Sequence, residues 1–186
     1  MNKTRYRNTE SRHRGADFEA LILESCERYR RAGAADIIKI PEPLRTLRNM
    51  GGGKFLAVYT AKGYPDFCGT LAGGRSVCFE AKYTSGDRIE QSRLTKKQAD
   101  ILETVWSMGA CAFVLLMYPD MYARIPWEIW RAMPEVFGHK YISRSEAEVY
   151  QLPNWAGRPL FLDGLTGPQA EDFSRFQNGV VKNVTE

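Results

Sequence analysis

An acidic and a basic side chain lie two positions apart in SVCFEAKY, a stretch whose composition is typical of a β-strand. Because alternate side chains of a strand point to the same face, Glu80 and Lys82 project together, and the residues between them form an apolar opposite face. On its own, such a pair is usually a solvated salt bridge. A second carboxylate on the same face would change that interpretation.

Asp66 could supply this second carboxylate, because it lies on the preceding stretch, YPDFCGTL, across the turn AGG. The length of the turn decides which residue Asp66 faces across an antiparallel pair. A two-residue loop formed by the two glycines would place Asp66 opposite Ala81, on the other face. A three-residue loop, with glycine in the left-handed conformation, would place it opposite Glu80. We predict the three-residue loop.

Asp66, Glu80 and Lys82 together would suit metal-assisted phosphodiester hydrolysis. Two carboxylates held a few ångströms apart repel each other unless a cation lies between them. Oxygen ligands favour Mg²⁺, with Mn²⁺ as a substitute, and Mg²⁺ commonly binds phosphate oxygens as well. A lysine beside such an ion can orient the attacking water or neutralise charge that develops on the phosphate. The three residues therefore predict a metal-dependent nuclease.

The composition is that of a globular domain, with 186 residues, 44% hydrophobic residues and 26% charged residues. No apolar run approaches the roughly 20 residues of a membrane span, and the basic N-terminus is not a secretory signal, so we expect a cytoplasmic protein. The charge is uneven: residues 1–62 hold 13 Lys and Arg against 7 Asp and Glu, and the remainder holds 13 against 15, which gives the net +4. A basic first third is consistent with phosphate binding, and equally with a solvated basic face.

The cysteines do not form a zinc motif. There are four of them without a C-x-x-C, and the two histidines, His13 and His139, lie far apart. We expect the cysteines to be small buried hydrophobic residues in a reducing compartment. A disulfide between Cys68 and Cys78 across the hairpin is a less favoured alternative.

The order of elements predicts a mixed α/β sheet flanked by helices. Helical spacing extends over about 14–31, and Thr95 opens a second helix that runs to about Met108. Strands are predicted in ADIIKIPEP, KFLAVYTAK, the hairpin, ACAFVLLMY and the first part of MYARIPWEIW, which then continues into a short helix. A basic glycine-rich loop, LRTLRNMGGGK, lies between the first two strands. We interpret residues 1–13 as a basic flexible arm and 14–186 as one domain, with a core of about 14–132 and a C-terminal extension over 133–186.

Pro65-Asp66 and the tripeptide EAK that begins at Glu80 resemble the PD-(D/E)xK nuclease signature. The wider series RGADFEALILESCERYRRAGAADIIKIPEP, YPDFCG, SVCFEAKYT, LTKKQ and GACAFVLLMY resembles, in order and spacing, the RecU-type Holliday junction resolvases from about Arg14 to Tyr122. The resemblance implies a restriction-endonuclease-like core and a metal-dependent, structure-selective DNA endonuclease. It also implies a homodimer, which would resolve four-way junctions by paired nicks during recombination and repair.

The resemblance assigns roles to five residues. Asp66, Glu80 and Gln98 correspond to the family's metal site, Lys82 to its transition-state lysine, and Glu19 to a supporting glutamate. Two of these assignments have structural alternatives. Thr95 and Gln98 also match a capping box, and Glu19 lies in a helix where solvated i,i+4 pairs are the default.

The chain also departs from the family pattern. Tyr64 stands where the family usually has a threonine near the metal, which puts a hydroxyl ligand there in doubt. The region that corresponds to the family's projecting stalk, Leu44 to Lys62, is short and glycine-rich. This favours an alternative function, a phage-type nuclease that acts on flaps or duplex ends. A second alternative is a non-catalytic DNA-binding protein of the same fold, against which the presence of Asp66, Glu80 and Lys82 together argues. The basic residues that we expect to hold the DNA backbone are Arg12, Arg14, Arg45, Arg48, Lys54, Lys62, Arg88, Lys96 and Lys97.

Overall fold

A five-stranded mixed sheet forms the centre of the protein. The computed structural model describes residues 3–41, 44–59 and 63–165, with side chains from Arg14 onward. In the order in which they lie side by side, its strands are β1 (Ala35–Lys39), β4 (Phe67–Leu71), β5 (Ser76–Tyr83), β7 (Cys111–Tyr118) and β8 (Met121–Pro126). Only the central pair, β5 and β7, is parallel; the other pairs are antiparallel.

Helices cover both faces of this sheet, which confirms the predicted fold class. The long helices are α1 (Lys3–Arg31) and α2 (Lys96–Ser107). The central strand β7 is buried along its whole length, as its continuous apolar sequence predicts. On one face Phe113 packs in the cluster that includes Phe18 of α1, and on the other Val114 packs in the cluster that includes Leu102 of α2. This alternation fixes which side of each strand faces which helix.

The basic loop that we predicted after β1 is instead the first strand and the turn of a separate two-stranded ribbon, whose second strand lies in the predicted strand KFLAVYTAK. Its strands are β2 (Leu44–Gly51) and β3 (Lys54–Tyr59), which pair in antiparallel fashion with two irregularities in register. Every residue of β2 is exposed. The loop interpretation was wrong because a strand that buries neither face shows no hydrophobic alternation, and its glycines only form the turn.

The remaining elements are short: two lie between β5 and α2, and the others come after β8. They are β6 (Arg88–Glu90), a 3-10 turn (Gln91–Arg93), α3 (Trp127–Arg131), α4 (Met133–Phe137), β9 (Tyr141–Ser143), α5 (Arg144–Glu148), β10 (Asn154–Trp155) and β11 (Arg158–Pro159). The C-terminal extension packs on the body as far as it is described: Phe161 and Leu162 are fully buried, and the Leu162 N–H donates to the Tyr29 hydroxyl at 3.2 Å.

Two expectations need correction. The backbone of α1 is helical from Lys3, so most of the segment that we interpreted as a flexible arm is helical.

Cys68 and Cys78 form a disulfide, whereas Cys26 and Cys111 are buried thiols as expected. The register that the three-residue turn sets places the two half-cystines directly opposite each other, 4.2 Å apart between Cα atoms. The expectation of free thiols rested on a reducing compartment and not on this register. Among the described residues, no helix is both long and apolar enough to span a membrane.

Candidate active site

The turn between β4 and β5 has the predicted three residues, 72–74. The Leu71 N–H donates to the Arg75 carbonyl at 2.8 Å, which closes the loop. Gly73 and Gly74 both have φ of +88°, a conformation that side chains with a Cβ rarely adopt. Phe67 pairs with Phe79, and one further step along this register brings Asp66 opposite Glu80. The prediction about the turn is confirmed.

Reciprocal backbone hydrogen bonds hold the two carboxylates in place. The Asp66 N–H donates to Glu80 Oε2 at 3.1 Å, and the Ala81 N–H donates to Asp66 Oδ2 at 3.0 Å. Each carboxylate is therefore anchored on the neighbouring strand. Glu80 is only 1% exposed, because its face of β5 lies under α2 rather than in solvent. The sequence had suggested a solvated face here.

This burial disfavours ionisation of both acids. Desolvation, with the nearby Asp66 charge, raises the pKa of Glu80 to about 7, although Lys82 and the backbone hydrogen bond oppose the shift. Burial is also the main cause that raises the pKa of Asp66. Two desolvated acids of this kind release their protons readily only when a cation offsets their charge.

Lys82 forms an ion pair with Glu80 Oε1. Its side chain is 18% exposed, against 1% for the Glu80 side chain, so the ammonium group lies between the buried carboxylate and solvent. A positive charge in this position can meet a phosphate that approaches from outside. The structure thus brings Asp66, Glu80 and Lys82 together as the sequence predicts.

Gln98 forms the cap of α2 and also contacts Glu80 of the acidic pair. Its side-chain oxygen accepts from the Thr95 N–H at 3.0 Å, and its own N–H donates to Thr95 Oγ1 at 3.3 Å, which completes a capping box. Its Nε2 donates to Glu80 Oε1. In this arrangement the NH₂ group of the amide faces Glu80, and the amide oxygen faces Thr95. The amide would have to rotate before its oxygen could bind a metal held by Glu80.

Glu19 makes a long-range ion pair instead of an i,i+4 pair. Its partner is Lys39 at the end of β1, a residue that the sequence analysis did not select. The neighbouring Ile40 N–H donates to the Asp66 carbonyl at 2.8 Å, so this pair lies beside the acidic residues. The charge of Glu19 is one of the causes that raise the pKa of Asp66. No sequence pattern marked Lys39, because only the pairing of β1 with β4 brings it here.

Other predicted positions lie around this centre or outside it. Tyr64 is 64% exposed, so it lies at the surface and does not replace a threonine ligand inside the site. No group of three or more His, Cys, Asp and Glu side chains suited to a metal occurs in the described part of the chain. A cation held by Asp66 and Glu80 would thus need Gln98, water or phosphate oxygens to complete its shell.

The basic residues divide into three groups. Arg45, Arg48 and Lys54 lie on the exposed ribbon, and Arg14 is exposed on α1. After the site, Arg88 pairs with Glu90 and stacks over Tyr141, and Lys96 pairs with Asp100. The Lys97 stem packs so closely on Gly63 that a Cβ there would overlap it, which keeps this lysine beside the loop that leads to Asp66. The Arg12 side chain and Lys62 lie outside the described residues.

Comparisons with known proteins identify the family. No curated protein matches the chain significantly. One similar solved structure is that of Archaeoglobus fulgidus Hjc, a Holliday junction resolvase from an archaeal hyperthermophile. The match has a TM-score of 0.49 and 15% identity, and it covers 84% of this chain and 99% of that chain. This likeness is too distant to carry an argument. A family model described as Recombination protein U matches residues 13–131. This match covers well over half of the sequence, and the chain therefore belongs to the RecU family of Holliday junction resolvases.

Proposed function

We propose that this RecU-family chain hydrolyses phosphodiester bonds of four-way DNA junctions with a Mg²⁺ ion held by Asp66 and Glu80. One observation carries the proposal: the three-residue turn places these two acids side by side, with Lys82 between the buried Glu80 and solvent. Such a constellation is not needed for folding, because two adjacent buried acids destabilise a fold in the absence of a cation.

The donor set fits a hard divalent cation. It offers carboxylate oxygens and, after rotation, an amide oxygen, which suit Mg²⁺ and Mn²⁺ better than softer metals. Such an ion would supply an activated water and neutralise charge on the phosphate. The residues of the chain position this chemistry: the backbone bonds fix both carboxylates, Gln98 orients Glu80, and Lys82 stabilises the charge that develops on the phosphate.

The β2–β3 ribbon supports a branched substrate. An eight-residue strand extends roughly 26 Å, and β2 is exposed over this whole length. The ribbon carries Arg45, Arg48 and Lys54 together with exposed apolar side chains such as Phe55, which is 57% exposed. Basic groups on such an element can bind backbone phosphates while apolar side chains contact unstacked bases at a branch point.

Resolution of a junction requires two nicks related by symmetry, so the active form that we propose is a homodimer with one acidic centre in each protomer. We also propose that it works in the cytoplasm. Sequence-independent contacts should make its affinity depend steeply on salt.

Cleavage of a four-way junction, compared with a flap and a linear duplex of the same sequence, tests the proposal. We expect symmetric nicks in the junction with Mg²⁺ and none with EDTA, and we expect Asp66→Asn to bind the junction without cutting it. Cleavage of flaps or duplex ends alone would establish the alternative nuclease function. Cleavage that persists in Asp66→Asn would show that the site is wrong.

A further inference from the structure

A second concave site lies against the other side of the first turn of α2. It is a cavity of about 670 Å³ between α2, α3, the 3-10 turn and Lys140, within the size range of small-molecule sites. Lys96 and Ala99 of α2 line it, whereas Gln98, on a different side of the same turn, contacts Glu80. Successive residues of a helix point about 100° apart, so the cavity and the acidic residues contact different sides of the same helical turn.

The walls of this cavity are held rigidly. The Gln91 side chain donates to the carbonyls of Trp130 and Arg131 at 2.7 and 3.1 Å, and its backbone N–H donates to the Lys140 carbonyl at 2.9 Å. On α3, the Trp127 indole N–H donates to Glu103 of α2 at 2.8 Å. Three elements are thus tied together around a preformed space, which lowers the entropic cost of binding.

The lining combines positive charge with apolar surface. Its cations are Lys96, Arg131 and Lys140, and its one acid is Glu90. Lys96 pairs with Asp100 and Arg131 with Glu103, and Glu90 pairs with Arg88, so Lys140 is the cation that these pairs leave for a ligand. Lys140 forms no ion pair with any residue that the structure describes. The floor contains two tryptophans that are at most 3% exposed. A ligand with an anionic group and a flat apolar body matches this lining, and a nucleotide has both.

We propose that this cavity holds one nucleotide of the DNA strand that leaves the active site at the branch point. The inference rests on the proposed function, because the strand is delivered to the cavity by DNA bound at the acidic residues. Lys140 would contact its phosphate, and the base would enter the apolar interior next to Ala99. Bases at a branch point are the least costly to unstack, so the cavity favours branched over continuous duplex DNA.

The test uses the full chain and a four-way junction with 2-aminopurine, a base whose fluorescence changes on unstacking, placed in turn at each position near the crossover. We expect the wild-type chain, bound without divalent ions, to alter the signal at one or two positions. Ala99→Trp, which fills the cavity, should abolish this change. Lys140→Ala should lower the salt slope of log affinity by about 0.7, the value of one contact to a single strand.

Arg31→Ala removes the same charge as Lys140→Ala and serves as the control. Arg31 is exposed at the end of α1, which lies near the end of the sheet that carries the β4–β5 turn. Asp66 lies at the opposite end of β4, so replacement of Arg31 should leave the salt slope unchanged. The inference is overturned if the chain cuts junctions but both cavity variants keep the wild-type fluorescence response and salt slope, as they would if the cavity held a protein segment. A wild-type chain that cuts no DNA would instead overturn the proposed function.

Discussion

Replacement of Glu80 by Gln should stabilise the metal-free protein at alkaline pH. The folded state raises the pKa of Glu80 from its ordinary value of 4.5 to about 7, mainly through desolvation. Between these two pH values the folded state keeps a proton that the unfolded state has released. Stability therefore falls as the pH rises through this window and stays lower above it.

The size of the effect follows from the same pKa values. A difference between 4.5 and about 7 corresponds to roughly 3 kcal/mol of stability lost above pH 7. Glutamine avoids this loss because it carries no charge. When its oxygen keeps the contacts with Lys82 and Gln98, its NH₂ group faces the Asp66 N–H. Two donors then face each other, and the lost hydrogen bond costs about 1 kcal/mol. We expect a net gain of about 2 kcal/mol at pH 8, or roughly 4–8 °C in melting temperature.

Urea denaturation in EDTA at pH 4.5 and pH 8 measures this difference. At pH 4.5 the variant should be no more stable than the wild type, because Glu80 is protonated in the folded state at that pH. Glu135→Gln, which changes an exposed glutamate, controls for the loss of one negative charge and should show no such change with pH. If Glu80→Gln has the same stability difference from the wild type at both pH values, Glu80 does not carry the buried charge that we describe.

Three further outcomes are expected. Lys82→Ala should bind junction DNA with at most a few-fold loss and reduce cleavage by at least roughly a hundredfold; an undiminished rate would exclude Lys82 from the site. Thr95→Ala and Gln98→Ala should each cost about 1 kcal/mol in a melt because each removes part of the cap, but only Gln98→Ala should also raise the Mg²⁺ concentration needed for cleavage. Gly69→Ala should destabilise the fold by on the order of 2 kcal/mol, since its Cβ would overlap the backbone of β1. Gly15→Ala, in open space on α1, is the control and should not destabilise the fold. Equal melting temperatures of the two variants would contradict this packing.

The sequence predicted the parts of the site that depend on local geometry. The alternation of side chains in β5 and the glycines of the turn were sufficient to place Asp66, Glu80 and Lys82 together. The burial of Glu80 was not predictable in the same way, because it depends on α2, which contacts this strand through Gln98 eighteen residues later. A carboxylate on a strand looks solvated until the element above it is known.

Elements whose sequences lack apolar periodicity were the main source of error in the fold. The strand β2 buries no residue, and the first turns of α1 show no apolar periodicity, so neither has the pattern from which strands and helices are predicted. The Glu19–Lys39 pair was missed for a different reason, because it depends on the pairing of β1 with β4, which the sequence does not state. The predicted turn does place Cys68 opposite Cys78, but the expectation of a reducing compartment favoured free thiols.

The stretch TKKQ explains how one helical turn can serve several parts of the site. Successive residues of a helix point about 100° apart, so three neighbours face three directions. Lys96 faces the cavity, Lys97 packs over Gly63 beside the loop to Asp66, and Gln98 reaches Glu80. Because the Thr95 cap fixes where this turn begins, a shift of one residue would misdirect all three side chains at once. The capping box that begins α2 therefore also sets the directions of Lys96, Lys97 and Gln98.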